Sequence, residues 1–88
     1  MKEDVVIYTG THCRYCVYAK DLLNAKGIVY TEISLDNDPL LREEVMLKSQ
    51  RQTIPQIFIH GQPIGGYDDL YALDCKGELD KLMSKETV

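Results

Sequence analysis

The first third of the chain contains a strand pattern, a helix pattern and a second strand pattern in direct succession. Residues 5–9 (VVIYT) are β-branched or aromatic, which is typical of a strand buried on both faces. Residues 14–26 carry apolar side chains at helical spacing, and Gly27 is a favourable residue just past a helix end. Residues 28–35 alternate as a second strand does. A helix that joins two such strands requires a parallel pair with a right-handed connection.

The remainder of the chain completes a small α/β sheet. Asp38 and Pro39 supply an N-cap and a first residue for a helix over residues 39–50. Residues 56–60 (QIFIH) indicate a third strand. The turn HGQP that follows is short, so the final strand, which begins at Pro63, must run antiparallel at a sheet edge.

A last helix is predicted after the Gly-Gly pair, with Asp68 or Asp69 as its N-cap and Gly77 placed to kink or divide it. The predicted order is β-α-β-α-β-β-α. This describes an α/β fold, a four-stranded mixed sheet flanked by about three helices, with helices on both faces. The length of 88 residues is enough for one core, so we expect a single domain over residues 1–88.

Charge and hydropathy exclude several classes of protein. The formal net charge is −4, so the chain lacks the attraction that nucleic acid or anionic lipid would exert. No stretch approaches the ~20 apolar residues of a membrane span. The segment MKEDVVIYTG also lacks the basic start and apolar core of a signal peptide. We therefore expect a cytoplasmic protein, in which thiols are kept reduced.

Cys13 and Cys16 lie at the junction between the first strand and the first helix. Residues three apart share a helix face, so these two side chains can form a disulfide across the first turn. The free N–H groups and the helix dipole favour a thiolate at Cys13, the dipole by about 0.3–2 kcal/mol. Cys16 lies deeper in the turn, so we expect it to be less exposed and to have a higher pKa.

Three interpretations of the cysteine pair can be compared. An odd number of cysteines, three, fits a disulfide scaffold poorly. A closed zinc site needs four ligands, and His12 is the one local candidate for a third, so no metal is expected. A C-x-x-C motif in a cytosolic βαβ pattern instead favours thiol–disulfide exchange. Cys75 is expected to be a buried or half-buried apolar residue. The residues expected to be core or half-core are Tyr8, Tyr18, Tyr30 and Tyr71.

Three motifs together are similar to one family. The segments YTGTHCRYC, TIPQIFIHG and GGYDDL occur in the order and near the spacing of the glutaredoxins. The chain resembles a small bacterial-type dithiol glutaredoxin along nearly its whole length. Thioredoxins share the cysteine pair and the proline but not the Gly-Gly-x-Asp-Asp segment. The resemblance implies a thioredoxin fold and the reduction of protein disulfides and glutathione mixed disulfides by a monomer. Glutathione would be a co-substrate, with no tightly bound cofactor.

The resemblance also implies roles for individual residues. Cys13 would be the nucleophile and Cys16 the resolving cysteine. A cis Ile54–Pro55 bond would turn the Ile54 backbone outward, where it can pair with the tripeptide as an added strand does. Asp68 would accept a hydrogen bond from the γ-glutamyl ammonium, and helix-start N–H groups would bind the carboxylate. The residues assigned to glutathione are Tyr15, Thr53, Ile54, Pro55, Gly66, Tyr67 and Asp68.

Two positions depart from the family pattern. The usual Cys-Pro-Tyr-Cys motif carries Arg14 in place of proline, and the added positive charge should stabilise the neighbouring thiolate. Many relatives carry a lysine three residues before the first cysteine, where it meets the glycyl carboxylate of glutathione. Gly10 occupies that position here, and Arg51 is a candidate for the missing cation.

Two alternative functions follow from the same motifs. Glutaredoxin-like chains that lack the active-site proline can hold a [2Fe–2S] cluster between two subunits, with one cysteine from each and two glutathiones. Arg14 leaves this possible, although its bulk would obstruct the dimer contact. The other alternative is an electron donor to one protein partner, recharged by thioredoxin reductase. The GGYDDL segment argues against the latter, since its role in the family is γ-glutamyl recognition.

Overall fold

A computed structural model describes residues 5–84 of the chain. The prediction of one domain over residues 1–88 and the signal-peptide argument extend over residues 1–4 and 85–88, which lie outside the described residues. The elements in chain order are β1 (Val5–Thr9), α1 (Arg14–Ala25), β2 (Thr31–Ser34), α2 (Pro39–Ser49), β3 (Gln56–Ile59), β4 (Gln62–Gly65), α3 (Tyr67–Cys75) and α4 (Glu78–Ser84).

The four strands form one mixed sheet in the order β2-β1-β3-β4. Strand β1 pairs parallel with β2 and antiparallel with β3, and β3 pairs antiparallel with β4. Ile7 lies at the centre, opposite Glu32 on one side and Ile57 on the other. This is the predicted sheet, with Pro63 in an edge strand, where a missing N–H costs least. The predicted thioredoxin-type mixed sheet is confirmed.

Apolar side chains cover both faces of the sheet. On one face the strands pack against α1, α3 and α4, and on the other against α2. The larger cluster consists of Val5, Ile7, Ala19, Leu23, Ile57, Ile59, Leu70 and Leu79. The smaller consists of Leu35, Val45 and Phe58, with Tyr8, Leu41, Met46 and Ile54 packed against it. Because α1 is anchored in the larger core through Ala19 and Leu23, its first turn is held rigidly at the end of β1.

Two helices begin and end as their local signals predict. The Asp38 carboxylate accepts a hydrogen bond from the Leu41 N–H at 3.2 Å and so caps α2. Helix α2 ends at Ser49, where Gln50 adopts a left-handed backbone with φ 60°. Gly27, with φ 73°, follows the end of α1 in the same conformation.

The second strand is shorter than predicted. The sequence pattern indicates a strand over residues 28–35, whereas β2 begins at Thr31. Ile28 donates its backbone N–H to the Leu23 carbonyl at 2.9 Å. Residue 28 therefore completes the end of helix α1 and cannot join the sheet ladder.

The C-terminal helical segment agrees with the prediction for Gly77 and differs from the prediction at its N-cap. It forms two helices, because Gly77 adopts φ 78° between Cys75 and Glu78. Neither Asp68 nor Asp69 is the N-cap of α3. Gly66 is the N-cap. The carboxylate of Asp69, three residues further along the chain, accepts a hydrogen bond from the Gly66 backbone N–H at 3.0 Å.

The expectations for Cys75, Tyr18 and Tyr71 are wrong. Cys75 is exposed, and so are both tyrosines. Cys75 lies one helical turn after Tyr71, on the side of α3 that faces away from buried Leu70. Interaction with the Cys75 side chain raises the pKa of Tyr71. Sequence periodicity did not distinguish the buried face of α3 from its exposed face, because this helix is only nine residues long.

Candidate active site

Cys13 is the N-cap of helix α1. Its backbone is extended, with φ −109° and ψ 104°, and its Sγ accepts a hydrogen bond from the Cys16 N–H at 3.2 Å. The sulfur thus occupies the place that a serine or aspartate oxygen takes at an ordinary helix start. A thiolate accepts from an N–H more strongly than a thiol does, and it also interacts favourably with the helix dipole. This geometry fits the predicted nucleophile.

Cys16 lies beneath Cys13 and is only 2% exposed. Burial, followed by the hydrogen bond with the Cys13 side chain, raises the pKa of Cys16 to about 12, and the charge of Cys13 acts in the same direction. At neutral pH this sulfur is therefore a thiol. The prediction that Cys16 is less exposed than Cys13 is confirmed.

A groove of about 290 Å³ includes Ile54, a neighbour of Cys13, in its lining. The Ile54–Pro55 bond on its edge is cis, as the resemblance implied. The Ile54 carbonyl oxygen lies 3.8 Å from the Cys13 Sγ. The groove is lined by Tyr15, Thr53, Ile54, Pro55, Gly66, Tyr67 and Asp68. All seven residues that the resemblance assigned to glutathione thus lie around one space, although they come from three separate segments of the chain.

Aromatic rings form a continuous surface along one side of this groove. The Tyr15 and Tyr67 rings are stacked, with centroids 6.2 Å apart. Tyr18 contacts both rings, and Tyr71 continues the surface from Tyr67 at 5.9 Å. Sequence reasoning missed Tyr18 and Tyr71 as neighbours of the groove. Their spacing of three and four residues from Tyr15 and Tyr67 is the signal by which they could have been found.

Asp69 connects the two sides of the groove. Its Oδ2 accepts hydrogen bonds from the Gly66 N–H at 3.0 Å and from Arg51 Nη1 at 2.7 Å. Although partial burial acts in the opposite direction, the Gly66 N–H and the Arg51 guanidinium lower the pKa of Asp69. Arg51, predicted as a cation for the glycyl carboxylate, is therefore already bound to a carboxylate of the protein.

A second open space, of about 440 Å³, is lined by Cys13 itself and is bordered by His12, Arg14 and Lys20. Gly10 also borders it, and a Cβ at this position would lie 2.8 Å from the Ile54 side chain. Thiol–disulfide exchange proceeds through attack of one sulfur on another as a third leaves. The open space at Cys13 gives room for the disulfide that its sulfur attacks.

The described part of the chain has neither a metal-binding cluster nor a membrane-spanning helix. Between residues 5 and 84, no group of three or more His, Cys, Asp or Glu side chains is arranged to hold a metal ion. Within the same range, no helix has the length and apolar character needed to cross a membrane.

Comparison with known proteins shows the family of this chain. The family model for glutaredoxin matches residues 5–64. The chain is 51% identical over 80 residues to glutaredoxin 3 of Escherichia coli strain K12, and the match covers 91% of this chain and 96% of the relative. The solution structure of glutaredoxin from Brucella melitensis is 50% identical, with a TM-score of 0.81, and the match covers 91% of this chain and 87% of that one.

A crystal structure of a buckwheat glutaredoxin–glutathione complex is also similar. It superimposes with a TM-score of 0.88 at 27% identity, over 94% of this chain and 78% of that one. The family model covers Cys13, Cys16 and residues 53–55, and the relative and the solved structures extend the similarity over more than nine-tenths of this chain. With two cysteines at dithiol spacing on a thioredoxin fold, this chain belongs to the glutaredoxin family of thiol oxidoreductases.

Proposed function

We propose that the protein is a glutathione-dependent thiol–disulfide oxidoreductase that reduces glutathione mixed disulfides and protein disulfides. One observation carries the proposal: the Cys13 sulfur, bonded to a helix N–H, lies 3.8 Å from the carbonyl oxygen of Ile54, which belongs to a groove whose lining has the residues expected to recognise glutathione. The buckwheat glutaredoxin–glutathione complex is a structural neighbour that supports the choice of ligand. The proposal includes a monomer that acts in the cytoplasm, as expected from the sequence.

The reaction with a glutathionylated protein requires Cys13 alone. The Cys13 thiolate attacks the glutathionyl sulfur, a Cys13–glutathione disulfide forms, and the protein thiol leaves as its thiolate and takes up a proton. The thiolate of a second glutathione then attacks the bound glutathionyl sulfur. Oxidised glutathione leaves, and the Cys13 thiolate is restored. The groove holds the first glutathione so that its sulfur faces Cys13, and the Ile54 backbone and Asp68 are its proposed contacts.

The reaction with a protein disulfide requires both cysteines. Cys13 attacks one sulfur, and the second sulfur leaves as a thiolate. Cys16 then loses its proton and attacks the Cys13 sulfur, which releases the substrate as a dithiol and leaves a Cys13–Cys16 disulfide. The charge on Cys13, which helps to raise the pKa of Cys16, is absent in the mixed disulfide. Cys16 is therefore easier to ionise at the step in which it must attack. Two glutathiones reduce the disulfide.

A coupled assay tests the proposal. With glutathione, glutathione reductase and NADPH, we expect the chain to reduce a glutathionylated substrate, and thioredoxin reductase should not replace the glutathione system. Glutathione should also shift the amide resonances of residues 53–55 and 66–68. No turnover and no shifts with glutathione would contradict the proposal. Visible absorption of the chain purified without oxygen in the presence of glutathione would support the cluster carrier instead.

Arg14 is expected to make the redox couple more oxidising. It is exposed next to Cys13, so its charge favours the thiolate and hence the reduced form. We expect Arg14→Pro to lower the reduction potential by about 5–20 mV, the equivalent of an exposed charge interaction of about 0.2–1 kcal/mol. Equilibration with a glutathione redox buffer measures the potential. Lys48→Ala, which removes an exposed cation that pairs with Glu44 in α2, is the control. An unchanged or higher potential in Arg14→Pro would contradict this role.

A further inference from the structure

Two segments form opposite walls of the groove. The first wall, residues 53–55, follows helix α2, and the second, residues 66–68, begins helix α3. The walls approach closely at one end, where a Cβ added to Gly66 would lie 3.4 Å from the Pro55 carbonyl oxygen. What fixes the distance between them therefore determines the width of the groove.

Arg51, just before the first wall, is held at both of its backbone polar groups. Its N–H donates to the Ser49 hydroxyl at 3.1 Å, and its carbonyl accepts from Gln56 Nε2 at 3.0 Å. Gln56 is 1% exposed and belongs to β3. The backbone of Arg51 is thus hydrogen-bonded to a buried side chain of the sheet, and its guanidinium is left to bond elsewhere.

The guanidinium of Arg51 bonds the carboxylate that supports the second wall. Asp69 Oδ2 accepts from Arg51 Nη1 at 2.7 Å and from the Gly66 N–H at 3.0 Å. The turn fits closely around this carboxylate: Gly65 has φ 124°, and a Cβ there would collide with the Asp69 side chain. Each residue is thus hydrogen-bonded to the next in the series Gln56, Arg51, Asp69 and Gly66.

We propose that the Arg51–Asp69 pair is a strap that holds the two walls at the separation glutathione requires, so that both are positioning residues for glutathione rather than contacts of it. This rests on the proposed use of the groove for glutathione. Neither Arg51 nor Asp69 lines the groove. Asp68, the acid next to Asp69, does line it. The two adjacent aspartates thus have different tasks, Asp68 toward the ligand and Asp69 toward the protein.

The strap and a direct role of Arg51 lead to different results. If Arg51 bound the glycyl carboxylate itself, Asp69→Asn would either not change or would lower the KM for glutathione. The substitution would free the guanidinium from Asp69, so that it could bind the ligand. If the strap holds the walls, Arg51→Ala and Asp69→Asn should each raise that KM about fivefold, a change equivalent to about 1 kcal/mol. The amide introduced by Asp69→Asn keeps an oxygen for the Gly66 N–H but lacks the charge that holds Arg51.

A double-mutant cycle over Arg51→Ala and Asp69→Asn gives the decisive comparison. We expect the double variant to raise the KM for glutathione no more than either single variant, with kcat at saturating glutathione unchanged. Two results would overturn the strap. One is a KM increase in the double variant equal to the two single effects combined, and the other is a raised KM in Arg51→Ala with no change in Asp69→Asn. In the ligand-free protein, both single variants should also shift the Gly66 amide resonance, and an unmoved resonance would equally contradict it.

A matched control lies at the other end of the same helix. Asp74 of α3 forms an ion pair with Lys26 at 2.9 Å, remote from the groove. Asp74→Asn and Lys26→Ala should alter the melting temperature to an extent similar to the strap variants but leave the KM for glutathione unchanged. A rise in KM in these controls would assign the effect to general stability and refute the strap. If the unmodified protein shows no saturation with glutathione, the proposed function fails instead, and the Gly66 resonance still tests the strap.

Discussion

Replacing Cys13 with serine is expected to abolish reduction of glutathionylated substrates, with a loss of rate of about a thousandfold or more. A hydroxyl is not ionised near neutral pH and is a poor nucleophile toward a disulfide sulfur. The helix N–H that bonds Sγ at 3.2 Å can still bond an oxygen, so the fold should be retained. The loss of rate would therefore report on chemistry and not on unfolding.

The same coupled assay measures this loss, and the chain supplies a control. Cys75 is an exposed thiol at the end of α3, and Cys75→Ser should leave the rate unchanged. Iodoacetamide at neutral pH should likewise modify Cys13 and leave buried Cys16 intact, because burial raises the pKa of Cys16 to about 12. Substantial activity in Cys13→Ser, or a loss in Cys75→Ser, would place the reactive sulfur elsewhere.

Replacing Cys16 with serine is expected to separate the two proposed reactions. Activity on glutathionylated substrates should stay within about threefold of the unmodified protein, because that route uses Cys13 alone. Activity on protein disulfides should fall about a hundredfold or more, since the mixed disulfide can then be released only by an external thiol. Mass spectrometry should detect the trapped mixed disulfide between Cys13 and the substrate.

The buried position of Cys16 calls for a second variant. Its side chain is 2% exposed, so a serine hydroxyl there lacks solvent and would cost about 1–3 kcal/mol if it finds no partner. Cys16→Ala removes the thiol without adding a polar group and should give the same separation of activities. Equal losses on both substrates in both variants, with melting temperatures unchanged, would show that Cys16 takes part in both routes and would contradict the proposed division.

Much of the site was predictable because its signals are short in sequence. The cysteine pair at a strand-to-helix junction identified the chemistry, since an N-cap position and a residue three further on share the first turn whatever surrounds them. The Asp38–Pro39 cap and the edge strand at Pro63 followed from equally local rules. Resemblance added the groove, and the structure brings all of its assigned residues together.

The wrong predictions concern choices that local sequence leaves open. Cys75 could face the core or the solvent, and only the packing of Leu70 beneath α3 turned it outward. The pattern over residues 28–35 is compatible with a strand from its start, but the Ile28 N–H is taken by the end of helix α1. In both cases a neighbouring element, and not the residue's own propensity, decided the outcome.

By itself, the sequence determined the order of strands and helices, the placement of Cys13 at a helix start and the thiol chemistry, because these depend on contacts within one turn or one strand. Only the tertiary structure decided that Asp69 bonds Arg51 while Asp68 lines the groove. The partner that distinguishes them, Arg51, is 18 residues away from Asp69, on a segment whose position is fixed through β3. Hydrogen bonds between distant segments depend on how the sheet and helices pack, and no periodicity in the sequence encodes that distance.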